Sequence, residues 1–203
     1  MFYLIGVAHR VQSKQKHAAD SDGQKEFRDC ISRAIEQFTP VLVAEEFSDY
    51  ALRKLSEERG IQEESVTKVI AESLKVEHRF CDPDAEDRAR MGYIEGTWLA
   101  LDIAMNNCEG FSNDEINSRG FAIEAAKYWP LREQFWLGKL GDVLDKNVVF
   151  ACGDVHIESF RMLLKQNNVD SIVLARHIGV TQGEDESWNR VMAYLEAHPE
   201  LRD

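Results

Sequence analysis

The chain has 203 residues, 44% of them hydrophobic and 30% charged, the proportions of an ordinary globular protein with one sizeable core, so one domain over residues 1–203 is expected and long disordered tracts are not. A formal net charge of −12 repels phosphate backbones and anionic headgroups, which argues against nucleic-acid and membrane partners while leaving a homo-oligomer open. Cys30, Cys81, Cys108 and Cys152 form no Cys-x-x-Cys pair and fall mostly within apolar patterns, as expected of reduced thiols in a cytoplasmic protein.

The first residues lack a basic stretch, and their apolar run is too short for a signal peptide or a membrane span. Phe2 to Ala8 reads as a first strand, since it is short, apolar and without helical period. A polar loop follows, carrying the basic run Arg10, Lys14, Lys16 and His17 as a solvated face. Phe27, Cys30, Ile31, Ala34, Ile35 and Phe38 recur at helical steps behind a Ser21/Gln24 capping box. Pro40 ends that helix, and Val41 to Ala44 form a second strand that runs into the acidic pair Glu45-Glu46. Two polar helices are expected over 49–59 and 63–75, then a third strand, His78 to Cys81, closing on Asp82-Pro83-Asp84.

Residues 86–146 read as a helical insertion between the third and fourth strands. In it Met91, Ile94, Trp98, Leu101 and Met105 make a stripe that predicts a helix packed on the core. Asn113 is a candidate cap for the next helix, and Pro130 begins one bearing Arg132, Glu133 and Trp136. Val148 to Cys152 is the clearest strand, and Gly153-Asp154-Val155-His156 turns it into a helix with Ile157, Phe160, Leu163 and Leu164 facing inward. Ser171 to Leu174 supplies a fifth strand. An acidic loop then leads to a terminal helix around Trp188, Val191, Met192 and Leu195.

Strands alternating with helices predict an α/β fold: a mostly parallel sheet of four to five strands flanked by helices, with ligands bound outside the strands' carboxyl ends. His9, Glu45, Glu46, Asp82, Asp84 and His156 all follow strands, so they fall on that one edge. Two strands end alike, in Gly6-Val7-Ala8-His9 and Gly153-Asp154-Val155-His156; glycine permits close approach, and the histidine three residues on is presented at the edge. Asp154 suits a helix cap as well as a catalytic group, and Asp82 and Asp84 suit a turn around Pro83. His17, His78, His177 and His198 are expected to be structural or on the surface.

These two Gly-x-x-His motifs and the acidic second-strand end resemble the superfamily of erythromycin esterases, TraB and Tiki proteins and ChaN-like haem-binding proteins. The resemblance implies that His9, Glu45-Glu46, His156 and a helical arginine, matched here by Arg132 in Arg-Glu-Gln-Phe-Trp, form the site. It also implies either a hydrolase acting on a small molecule or peptide, or a non-catalytic haem- or ligand-binding module with His9 or His156 as axial ligand. Imidazoles and carboxylates ligate divalent metals, so His9, Glu45 and His156 are a candidate set for manganese, cobalt or zinc, which acidify bound water. Without metal, a histidine oriented by a carboxylate activates water while Arg132 stabilises the oxyanion. No serine or cysteine stands beside a base in these motifs, which disfavours a covalent route.

Overall fold

The computed structural model describes residues 1–107 and 110–202; Cys108 lies outside them. In chain order the first half contains β1 (Phe2–Val7), α1 (His9–Gln12), β2 (Ser13–Gln15), α2 (Asp22–Phe38), β3 (Leu42–Glu45), α3 (Asp49–Arg59), β4 (Glu63–Ser65), α4 (Val66–Ser73) and β5 (Glu77–Phe80). After these come α5 (Ala85–Arg90), α6 (Gly96–Asn107), α7 (Asn113–Lys127), α8 (Trp129–Lys139), β6 (Val148–Gly153), α9 (Ile157–Gln166), β7 (Ser171–Ile178) and α10 (Gln182–Ala197). The fold is α/β as expected, but the chain divides into two compact units. One comprises Met1–Ala85 and Gln134–Val180, the other Glu86–Glu133 and the segment from Thr181 onward.

The first unit holds a five-stranded sheet in the order β5-β3-β6-β1-β7, in which every pairing is parallel. Successive side chains of a strand point to opposite faces, and the core divides accordingly. Phe2 and Leu4 of β1, Leu42 and Ala44 of β3, and Val148, Phe150 and Cys152 of β6 pack with Trp136 and Leu140 of α8 and Ile157, Phe160 and Leu164 of α9. The alternate residues Tyr3, Ile5, Val7, Val43, Val149 and Ala151 pack on the other face with Phe27 and Ile31 of α2 and Val66 and Ile70 of α4. The Ser21/Gln24 capping box is present, with Ser21 accepting from the Gln24 amide and Gln24 from the Ser21 amide.

Several expectations need correction. The stretch after β1 is not a plain loop: Ser13–Gln15 pairs antiparallel with Glu63–Ser65, a pairing between distant segments that local sequence does not announce. Lys14 is correspondingly largely buried, bound to Asp20 at 2.7 Å and near Glu64 at 3.7 Å, rather than solvated. The last strand of the sheet runs to Ile178, and the acidic stretch after it is already helix, capped by Thr181 with Glu184.

In the second unit the apolar stripe does not face a core. Trp98 is 65% and Met105 71% exposed, and Ile94 and Leu101 are exposed too. Helix α6 instead meets α7 through small residues: a Cβ on Gly120 would stand 2.4 Å from the Gly96 carbonyl oxygen and 2.6 Å from the Ala100 nitrogen, so this packing requires glycine. Glu124 fastens the same pair, accepting from the Tyr93 hydroxyl at 2.5 Å and the Gly96 amide at 2.8 Å. The cap of α7 is Ser112 with Glu115, one residue before Asn113. No helix among the described residues is long and apolar enough to cross a membrane.

Candidate functional site

The two Gly-x-x-His motifs lie side by side on the paired strands β1 and β6, with Gly6 opposite Cys152 and Val7 opposite Gly153. Their glycines serve each other's motif. A Cβ on Gly6 would fall 2.3 Å from Asp154 Oδ1 and 2.9 Å from Ile157 Cγ1. A Cβ on Gly153 would fall 2.5 Å from His9 Nε2 and 3.2 Å from Glu46 Oε2. Each missing side chain is therefore the space that a polar group of the facing strand end occupies.

Glu46 is the centre of the cluster. Its backbone N–H donates to the Ala151 carbonyl at 2.8 Å, extending the β3–β6 ladder by one residue. Its Oε2 accepts the Gly153 N–H at 2.6 Å, while Oε1 lies 3.6 Å from His9 Nε2 and 3.7 Å from His156 Nε2. Glu46 and His156 are buried, whereas the His9 side chain is 54% exposed. Sequence placement thus brings His9, Glu46 and His156 together. His156 closes a single turn, Asp154–His156, that joins β6 to α9, and its ring stands edge-on to Trp136 with centroids 5.1 Å apart. Trp136 is itself held by donation from its indole N–H to Asp82 Oδ1 at 3.1 Å, so Asp82 does more than form the turn at Pro83. Sequence alone offered Trp136 only as a helix residue.

Glu45 takes a different course. It shares the parity of Val43, so its side chain goes to the α2/α4 face, where Oε1 accepts from Ser65 Oγ at 2.5 Å and lies 2.8 Å from His78 Nε2. Glu46 shares the parity of Ala44 and goes to the α8/α9 face, where His156 lies. The expected set His9, Glu45 and His156 is therefore corrected to one built on Glu46, and His78 is the buried partner of Glu45. Among the described residues no group of three or more His, Cys, Asp or Glu side chains is arranged to hold a metal ion.

Arg132 lies on α8 at the end of the second unit, where it is buried. Its guanidinium acts on the Tyr93 hydroxyl, whose pKa burial nonetheless pushes well above the ordinary tyrosine range, with Glu124 adding to the rise. Asp154 is not the cap of α9, whose N-cap is His156 without a side-chain bond. Its carboxylate instead holds the end of β7, accepting from the His177 backbone N–H at 2.7 Å and from Arg176 Nη2 at 2.9 Å. Comparison with protein-family models, curated proteins and solved structures finds no match for the chain.

Proposed function

We propose that the chain is a hydrolase of the kind its paired Gly-x-x-His motifs resemble, activating water with His9, Glu46 and His156. The observation that carries this is one Glu46 carboxylate oxygen lying within 3.7 Å of two imidazole Nε2 atoms at the carboxyl end of a parallel sheet, with its second oxygen fixed by the Gly153 N–H. His9 is the half-exposed member and so the one a substrate and its attacking water can reach. It takes a proton from that water, and the adjacent carboxylate orients the ring and stabilises the imidazolium that forms. His156, buried against Trp136, faces the same Glu46 oxygen that His9 approaches and closes off the space beside it. A small molecule or peptide bearing an ester, amide or phosphoester bond suits this chemistry.

The test is a screen of ester, peptide and phosphoester substrates, each run with chelator and with added manganese, cobalt or zinc. Replacing His9 or Glu46 should lower turnover by about two or more orders of magnitude, the scale of losing a general base, with folding nearly intact. Turnover that survives both His9→Ala and His156→Ala would remove the site from consideration. No turnover, with a Soret band in the purified protein, would put the haem-binding alternative in its place.

A further inference from the structure

His177 stands at the carboxyl end of β7 with φ +60°. That left-handed conformation favours glycine and, among residues with a side chain, is met mostly at asparagine, aspartate and histidine. The fold needs only the backbone there: the His177 N–H donates to Asp154 Oδ1 at 2.7 Å, a bond any residue but proline would make. Yet the position carries a histidine whose side chain is 58% exposed, with Nδ1 3.3 Å from Asp154 Oδ2. Asp154 is buried and pinned by Arg176 through Nη2 at 2.9 Å and Nε at 3.3 Å, so the carboxylate that orients the ring is itself immobile. The outer nitrogen, Nε2, has no partner among the described residues.

This imidazole belongs to the same strand ends as the His9 cluster. The Ala8 N–H donates to the Ile178 carbonyl at 2.9 Å, which sets the His177–Ile178 segment beside Ala8–His9. The Gly153–Asp154 dipeptide carries the His9 ring against Gly153 and the His177 ring against Asp154. Two half-exposed imidazoles, each with its own buried carboxylate, thus flank one dipeptide. Resting on the hydrolase reading above, we propose that His177 is the general acid of the site and that the substrate is an acyl compound with a basic leaving group, an alkyl ester or an amide. His9 removes a proton from water as the water oxygen bonds to the acyl carbon. As the bond from that carbon to the leaving oxygen or nitrogen breaks, the leaving atom takes the proton from His177 Nε2, and both histidines then re-equilibrate with solvent. A second, separately oriented imidazole is useful where the leaving group is too basic to depart unprotonated.

The experiment compares the intact chain with His177→Asn, which suits the left-handed backbone and should fold at least as well, as circular dichroism and a urea melt would check. Two esters of one acyl group are used, a p-nitrophenyl ester that leaves readily and an ethyl ester that does not. The loss of kcat/KM should be about 100-fold or more on the ethyl ester, the scale of general-acid catalysis, and under about 5-fold on the p-nitrophenyl ester. Equal losses on both esters, or none, would overturn the general-acid role while leaving His9 and Glu46 in place. Wild-type turnover of neither ester, or turnover that survives His9→Ala, would overturn the hydrolase reading and this role with it.

Discussion

Adding one methyl group at each motif glycine separates the site from the fold. At Gly153 the backbone is at φ −52°, ψ 135°, a conformation alanine adopts freely, and the change tightens the unfolded chain by about 0.4–1 kcal/mol. The new Cβ meets His9 Nε2 at 2.5 Å and Glu46 Oε2 at 3.2 Å. The first is the tip of a half-exposed side chain that can rotate away, and the second needs to give by only a few tenths of an ångström. Stability should therefore stay within about 1 kcal/mol of wild type, the steric and entropic effects offsetting each other. The catalytic cost is larger, because His9 leaves Glu46 by about 1 Å or more, a displacement worth roughly 100-fold in rate. At Gly6 the same methyl group meets Asp154 Oδ1 at 2.3 Å and Ile157 Cγ1 at 2.9 Å, both buried and neither free to move. Overpacking of about 1–3 kcal/mol, with strain on the hydrogen bonds of Asp154, gives an expected loss of about 2–4 kcal/mol for Gly6→Ala. Urea melts followed by circular dichroism and kcat/KM on any substrate turned over in a His9-dependent way measure both. A Gly153→Ala protein that keeps full turnover, or a Gly6→Ala protein that melts with wild type, would refute the reciprocal arrangement of the two motifs.

Asp20 accepts from Arg28 and Lys14 at 2.7 Å each, and these cations, Arg28 foremost, hold its carboxyl below the ordinary 3.8. Because the folded value is the lower one, its contribution is present above about pH 3.8 and lost as pH falls further. Asp20→Asn should therefore cost up to about 1 kcal/mol at neutral pH, with the two proteins converging in acid; a gap that widens below pH 3 would contradict the ion pairs. Burial pushes the Cys81 thiol up to about 12, so at pH 8 Cys81 should ignore Ellman's reagent until urea unfolds the chain, and fast native labelling at that position would show the core placed wrongly. Gly120→Ala should lower the stability of the α6–α7 pair by roughly 1–3 kcal/mol, since the Cβ would strike backbone of α6 rather than a movable side chain; an unchanged melt would refute their close packing.

Much of the fold was legible in the sequence because its signals are local. The strands from Phe2, Val41, Val148 and Ser171 are short apolar runs, the one from His78 reaches Phe80-Cys81 before a turn at Pro83, and the α2 and α9 stripes keep helical period beside caps or turns whose chemistry lies within a few residues. The placement of His9, Glu46 and His156 on one sheet edge followed from the same alternation of strand and helix. Strand parity also guarantees that Glu45 and Glu46 part to opposite faces. Which face held the site was decided by which helices pack where: α9 with His156 lies on the Ala44 face, so Glu46 joins the histidines and Glu45 pairs with Ser65 and His78. The stripe from Met91 to Met105 misled because hydrophobic period marks an apolar face without naming its partner: Met91 and Ile94 precede α6, and α6 meets α7 through small residues instead. His177 gave no sign in the sequence, since nothing local to it tells that Asp154, 23 residues earlier, grips its backbone and ring. Local pattern sets where a side chain leaves the backbone, and only the packing of distant segments sets what it meets.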